Sequence, residues 1–325
     1  MKITVFGAGA YGISIACQLA KKESNNIMLW TENKKLFDEF NKSHQFKSKF
    51  PSLEVPNNIK ITENYEDAMK DTNLIFIITS AKYVNNICDN IKYYYKNTPI
   101  CIAAKGIELE SLNTLSNLAK NKLDTNNISV ISGPTFAIDL INNNPAALAI
   151  AGYNKKTIKI VKENLQNETL KLRESSDIIG IQLCGSIKNI IAIAAGILKG
   201  LGYTESTQAF LINESLHDMK NIIHHLGGKR KTILSFAGIG DLLLTCSSAK
   251  SRNYSFGYVI GSTKNKEKIN EYLKNNTVEG YYTLNSVYKM LQKKGINIPL
   301  ITLIYNIVIN YEDPNNLATF LINKD

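Results

Sequence analysis

Apolar residues along the first half of the chain follow two alternating rhythms. Short β-rich runs recur at Ile3–Phe6, Ile27–Trp30, Leu74–Ile78, Pro99–Ala103, Ile128–Ile131 and Ala146–Ala151. Between them the spacing becomes helical, as in Ile13–Lys22 and Lys82–Tyr93. Strands alternating with helices imply βαβ units and a parallel, doubly wound sheet. From about Ser175 strand-like runs nearly vanish. Helical periodicity then dominates from Ile178 to Leu321, punctuated by Gly200, Gly227-Gly228, Gly238, Gly295 and Pro299. The Asn-rich tracts Asn142–Asn144 and Asn275-Asn276 read as loops, and no internal repeat is visible. The pattern predicts an α/β domain over 1–178 and an all-α domain over 179–325. The run Ile178–Leu198 holds a single charge, Lys188, so a membrane span is one reading of it. Gly180, Gln182, Gly185, Ser186 and Asn189 interrupt its first half, so a buried core helix is the expectation.

Composition narrows the classes. With 325 residues, 44% hydrophobic and 20% charged, the chain has material for about two cored domains. That excludes intrinsic disorder and a disulfide-stapled miniprotein. Lys+Arg of 38 against Asp+Glu of 28 gives a net charge of +10, which favours anionic partners. The basic residues are dispersed and no RNA- or DNA-binding motif is present, so no nucleic-acid partner is expected. The five cysteines (Cys17, Cys88, Cys101, Cys184, Cys246) form no CxxC pair, so neither a zinc site nor a disulfide framework is expected, and free thiols suit a reducing cytosol. Met1-Lys2 runs straight into Ile3-Thr4-Val5-Phe6, so no signal peptide is expected. His44, His217, His224 and His225 make no metal pattern, and no GxSxG elbow occurs. His224-His225 ahead of Gly227 reads as a helix C-terminus.

Several segments carry candidate chemistry. Gly7-Ala8-Gly9-Ala10-Tyr11-Gly12 is a GxGxxG that follows a predicted strand and opens a predicted helix. In that context the glycines permit a tight turn, close approach of a pyrophosphate, and helix-on-strand packing. This makes the sheet Rossmann-type. Glu32 lies where an acid meets the adenosine ribose and favours NAD, while Lys34 and Lys35 could rescue NADP binding. Lys105, in Ala103-Ala104-Lys105-Gly106-Ile107-Glu108, sits at the carboxyl edge of a strand, where open α/β sheets bind ligands. Ser132-Gly133-Pro134-Thr135 leads another strand into a helix, with plain N-capping as the bland reading. Lys188 either snorkels to the surface or is buried as a depressed-pKa general base. Asp241, in Gly238-Ile239-Gly240-Asp241, is a lone acid whose bland reading is an N-cap. Ser251-Arg252-Asn253 at a helix start suits a phosphate, and Val278-Glu279-Gly280 opens a further helix.

Taken in order, GAGAYG, AAKGIE, ISGPTFA, CGSIKNIIAIAAGI, AGIGDLLLTC, SRNYSFG and VEGYYT resemble the bacterial NAD(P)-dependent glycerol-3-phosphate dehydrogenases across essentially the whole chain. The resemblance implies that Lys188 is the proton acceptor and that Lys105 touches both cofactor and substrate. It places Gly133, Thr135, Asp241, Ser251, Arg252 and Asn253 at the substrate. It places Gly7, Gly9, Ala10, Tyr11, Gly12, Glu32, Ala137, Arg252, Thr277 and Glu279 at the cofactor. The chain departs from the family at Thr79-Ser80-Ala81, where a Pro-Ser-His-like turn is usual. It also departs at Ser206-Thr207-Gln208 and Asn213-Glu214-Ser215, which lack the family's cations.

The expected reaction is interconversion of sn-glycerol 3-phosphate and dihydroxyacetone phosphate by hydride transfer to or from NAD or NADP, feeding glycerophospholipid synthesis. Substrate is expected between the two domains. Catalysis is assigned to Lys188, Lys105 and Asp241, with a modest NAD preference and no metal. The resemblance further implies a cytoplasmic enzyme with a phosphorylated small-molecule substrate, no integral membrane association and room for a homodimer. Two alternatives stand beside it: a ketopantoate-reductase-like enzyme of another small hydroxy acid, and a non-enzymatic nucleotide-binding protein.

Overall fold

A computed structural model describes residues 1–324. The chain first runs β1 (Lys2–Phe6), α1 (Ala10–Ala20), β2 (Asn26–Trp30), α2 (Lys34–Ser43), β3 (Ile59–Thr62), α3 (Tyr65–Met69), β4 (Leu74–Ile77) and α4 (Ala81–Ile91). It continues through β5 (Ile100–Ile102), α5 (Leu115–Leu123), β6 (Ile128–Ser132), α6 (Ala137–Ile141), β7 (Ala146–Gly152), α7 (Lys155–Leu165) and β8 (Leu170–Glu174). The strands form one sheet in the order β3-β2-β1-β4-β5-β6-β7-β8. Pairing from β3 through β6 is parallel, with Ile3 opposite both Ile27 and Leu74. Central strands such as β4 are buried at every position, as a sheet covered on both faces requires. Two helix groups provide that cover: α1 packs with α6 and α7, and α4 packs with α3 and α5.

All six expected strands are present, and two more occur at the sheet edges. β3 reads Ile-Lys-Ile-Thr and β8 reads Leu-Lys-Leu-Arg-Glu. Each has charged residues on its exposed face, the usual treatment of an edge, and this is why neither stood out as an apolar run. The sheet is also not wholly parallel. Tyr153 N, just past β7, donates to Ile128 O at the start of β6, so β7 opposes β6, and β8 then pairs parallel to β7. The intervening connection holds only the five-residue α6. The abundant asparagines are put to use as helix caps. Asn33, Asn64, Asn154 and Asn265 each accept bonds from first-turn N–H groups through the side-chain oxygen.

The remaining elements are α8 (Ile178–Gly200), α9 (Glu205–His225), a 3-10 turn at Arg230–Leu234, a π-helical turn at Phe236–Gly240, α10 (Asp241–Cys246), α11 (Arg252–Thr263), α12 (Lys266–Asn275), α13 (Glu279–Lys293), α14 (Pro299–Ile309) and α15 (Asn316–Asn323). The described residues divide into two compact units. The first is 1–104, 115–131 and 135–178; the second is 105–114, 132–134 and 179 onward. The second unit therefore takes in two short segments from the sequence of the first half.

In the second unit α8 is buried at every position from Gly180 to Leu198. It is long and apolar enough to cross a membrane, yet it is enclosed by protein on all sides. Its close partner is α11. A Cβ on Gly196 would overlap the Tyr254 carbonyl oxygen, and one on Gly257 would overlap the Ile193 carbonyl oxygen. Gly200 and Gly261 repeat the arrangement one turn on, so the two backbones meet directly. On α9 the acids Glu214 and Asp218 receive a cation from elsewhere: Lys324 Nζ lies 3.3 Å and 2.9 Å from them, largely sheltered. His224 and His225 end α9, as expected.

Because backbone faces backbone at Gly257, Gly257→Ala has no flexible neighbour to displace. It is expected to destabilise the protein by at least about 2 kcal/mol, read as a fall in the denaturant midpoint of the purified protein. An unchanged midpoint would show that the helices separate easily.

Candidate active site

The first unit builds a nucleotide cradle where β1 ends. Gly7 adopts φ 114°, and a Cβ there would come 2.9 Å from Thr79 N and 3.0 Å from the Ile78 carbonyl. A Cβ on Gly12 would overlap the Gly7 carbonyl oxygen, so α1 rests directly on the turn. Gly9 meets nothing within 4 Å. It is the N-cap of α1 and brings no side chain to satisfy the first-turn N–H groups. A bare, open glycine at an uncapped helix start fits the diphosphate of NAD(P). The cradle also lies between β1 and β4, where the strand order reverses.

Around the cradle, Ala10 and Ala137 begin α1 and α6, and the Tyr11 hydroxyl bonds Thr135 Oγ1 at 3.0 Å. Glu32 follows β2 and is exposed. The Tyr65 phenol is pushed up to about 12, by burial first and then by the charge of Glu32. Lys34 is engaged by Glu63 at 3.2 Å and Asp38 at 3.3 Å, whereas Lys35 is exposed.

The second unit builds a charged centre. Lys188 projects from the middle of α8, and its side chain is only 7% exposed. Its ammonium pairs with Asp241 Oδ1 and lies 2.8 Å from Thr245 Oγ1. Asp241 Oδ2 takes the ammonium of Lys105 at 2.7 Å. One carboxylate, 1% exposed, thus serves two lysines through separate oxygens. Thr245 is fixed in turn by donating to the Asp241 carbonyl at 2.6 Å. Asp241 is the first residue of α10, which Gly240 leaves without a side-chain cap, and its carboxylate is committed to the lysines. The π turn that aims it contains Gly238 at φ −86°, ψ −110°, where a Cβ would overlap the Ile233 carbonyl. A Cβ on Gly185, one turn before Lys188, would come 2.7 Å from Ser132 Oγ and 3.5 Å from Lys105 Cγ. The Ser132-Gly133-Pro134 segment and Lys105 therefore press on α8 beside the centre.

Lys188 loses proton affinity, to about 7. Burial is the main cause, Asp241 opposes it, and the nearby positive charge of Lys105 adds to it. An amine poised near neutrality can accept and return a proton in that range.

At the start of α11, Ser251 caps the helix by accepting from Tyr254 N at 3.3 Å. Asn253 Oδ1 accepts from Gly280 N at 2.8 Å, which ties α11 to the start of α13. Arg252 is exposed, as is Thr277, and Glu279 is half-buried. Lys105, Lys188 and Asp241 are thus brought together as expected, while Ser251 and Asn253 each also have a structural task. Thr245 was not among the expected site residues. Its position four residues after Asp241, one turn along the same helix, is the signal that marks it. Among the described residues no His/Cys/Asp/Glu group could hold a metal ion, and the five cysteines are buried and form no disulfide.

Comparison with known proteins bears on both units. The family described as NAD-dependent glycerol-3-phosphate dehydrogenase N-terminus matches residues 2–158, and the corresponding C-terminus family matches 177–319. A glycerol-3-phosphate dehydrogenase (NAD(P)+) of Thermoanaerobacter sp. is 33% identical over 326 residues, covering 100% of this chain and 98% of the relative. The crystal structure of glycerol-3-phosphate dehydrogenase from Coxiella burnetii superposes with a TM-score of 0.94 at 29% identity, covering 99% of each chain. A putative 2-dehydropantoate 2-reductase from Enterococcus faecalis shares the fold alone, with a TM-score of 0.54 at 13% identity over 100% of each chain.

Removing the shared carboxylate isolates two cations. Asp241→Asn is expected to cost about 3–5 kcal/mol of stability, and more at pH 6 than at pH 9. The sign follows from Lys188. Without Asp241 its folded-state pKa falls further below the unfolded value, so the unfolded chain binds more protons and stability rises with pH. Urea unfolding at the two pH values measures it, and a pH-independent loss would contradict the pairing.

Proposed function

The chain belongs to the NAD-dependent glycerol-3-phosphate dehydrogenase family, and from that premise we propose how its residues divide the work. The enzyme interconverts sn-glycerol 3-phosphate and dihydroxyacetone phosphate by hydride transfer to or from NAD(P). When bound, NAD(P) supplies the hydride chemistry at nicotinamide C4. In oxidation, neutral Lys188 accepts the C2 hydroxyl proton as the C2 hydrogen leaves with its electron pair. In reduction the ammonium returns a proton to the same oxygen. Asp241 and Thr245 hold the amine in place. Lys105 stabilises negative charge on that oxygen.

Arg252 grips the phosphate through its guanidinium fork, with Ser251 and the amide nitrogen of Asn253. Gly133 and Thr135 contact the substrate. Gly7, Gly9, Ala10, Tyr11, Gly12, Glu32 and Ala137 hold the cofactor, joined by Lys105, Arg252, Thr277 and Glu279. Residues 1–178 form the NAD(P)-binding domain and 179–325 the helical substrate-binding and catalytic domain. The observation that carries this reading is Asp241 gripping Lys188 and Lys105 through separate oxygens. The reading extends to a cytoplasmic enzyme, working as a homodimer, that supplies glycerol 3-phosphate for glycerophospholipid synthesis. Family membership is what supports those extensions.

The cofactor choice is a modest preference for NAD. Exposed Glu32 would accept ribose hydroxyls and repel a 2′-phosphate, and Lys34, one of two cations able to offset that repulsion, is already held by Glu63 and Asp38.

Initial rates with dihydroxyacetone phosphate and NADH or NADPH test the function. Lys188→Ala should lower kcat by about 10²–10⁴-fold with the protein still folded. In the wild type, oxidation should rise as pH passes through about 7 and reduction should fall, because the neutral amine serves one direction and the ammonium the other. Near-normal turnover in the variant would remove Lys188 from the chemistry. Glu32→Ser should shift kcat/KM toward NADPH by about tenfold, equivalent to about 1.4 kcal/mol of relieved repulsion. A wild type that already prefers NADPH would show that Glu32 does not read the ribose.

A further inference from the structure

Among the described residues, three of the six buried side-chain polar atoms that lack a hydrogen-bond partner fall in one short stretch after β4: Thr79 Oγ1, Ser80 Oγ and Asn85 Oδ1. Buried polar groups are nearly always paired, and an exception in a native fold calls for an explanation such as a missing ligand. Ser80 makes the case sharper. It stands at the N-cap of α4, where a serine normally bonds the first helical turn, yet its side chain makes no such bond. The hydroxyl is left free where the helix itself could have used it.

The location indicates what it is kept for. The turn after β4 abuts the glycine cradle, because Thr79 N and the Ile78 carbonyl would lie 2.9 Å and 3.0 Å from a Gly7 Cβ. β4 adjoins β1 on the side opposite β2. Glu32, after β2, marks the adenosine side of the cradle, so Thr79 and Ser80 face the other half of a dinucleotide. This is also the turn where the chain departs from the Pro-Ser-His-like pattern. Threonine supplies a hydroxyl and a backbone N–H that a proline lacks.

We propose that the Thr79 and Ser80 hydroxyls are cofactor-binding groups of this chain that hydrogen-bond the diphosphate and nicotinamide-side ribose of NAD(P). The proposal rests on the reading of Gly7–Gly12 as the dinucleotide cradle. It adds to that cradle a polar wall on the nicotinamide side, with Asn85 Oδ1 as a further acceptor along α4.

The test is binding rather than turnover. NADH affinity is measured by fluorescence titration of the full-length enzyme without substrate, AMP affinity by calorimetry, and folding by thermal melting. Thr79→Val and Ser80→Ala should each raise the NADH Kd about three- to tenfold. AMP, which carries only the adenosine half, should keep its affinity within about twofold, and the melting temperature should not fall, since each variant deletes an unpaired buried group. Thr79→Ser, which keeps the hydroxyl, should restore NADH binding. Unchanged NADH affinity in both variants overturns the proposal, as does an equal proportional loss for AMP. If Thr79→Val does not fold, Ser80→Ala alone decides. Gly9→Val separates the underlying reading: it should abolish NADH binding, and if it binds NADH as the wild type does, the cradle assignment fails and the proposal with it.

Discussion

A single buried carboxylate shared by two ammonium groups is the constraint that the second unit is arranged around. Asp241 can neutralise one of its lysines but not both, so the centre carries an excess positive charge in a place with little water. Such a charge is tolerable in two ways: one lysine gives up its proton, or an anion arrives. Lys188, the more buried of the two, is the one whose proton is loosened. In the proposed reaction the anion is the negative charge that develops on the substrate oxygen beside Lys105. The same electrostatic imbalance therefore prepares the base and favours the ligand.

That arrangement demands exact placement from three separate stretches of chain, and the packing supplies it with backbone rather than side chains. Lys188 rides on a helix that meets α11 through glycines on both sides. Asp241 is aimed by a π turn that only a glycine at position 238 allows. Lys105 is the exception, held at its far end by the Asp241 carboxylate at 2.7 Å. Contacts of this kind leave little freedom for sliding, because protein interiors respond to added volume with strain. On the role proposed for Lys188, rigidity of the helical unit would be part of how proton transfer is aligned.

Much of this was legible in the sequence. The six central strands announced themselves as apolar runs because both faces are covered. The edge strands β3 and β8 did not, since Lys60, Lys171 and Arg173 on their open faces break the run. Reversal of β7 left no local mark, because antiparallel pairing is a property of where chain segments meet. Lys188 stood out as a lone cation on an apolar helix, and burial bears out the prominence. Asp241 was visible, but its capping role was the plainer reading, and only the side-chain geometry shows that it serves the lysines instead. Thr245 carried only its spacing from Asp241, one helical turn on, which gains meaning once Asp241 is known to hold the lysines. The cations missing from α9 also had an answer that spacing could not reveal, because Lys324 comes from the far end of the chain.

The asparagine caps have a consequence beyond holding helix ends. An amide has no proton to gain or lose in the range where enzymes work. Helices begun by Asn33, Asn64, Asn154 and Asn265 therefore keep their first bonds while the charge on Lys188 changes. Carboxylate caps would hold through the same range but let go in stronger acid, near their own pKa of about 4, where the amides still hold. As built, these four helix starts keep their bonds while the centre titrates, so the oxidation lost on mild acidification reports a change of charge at Lys188 and not a slackening of those ends.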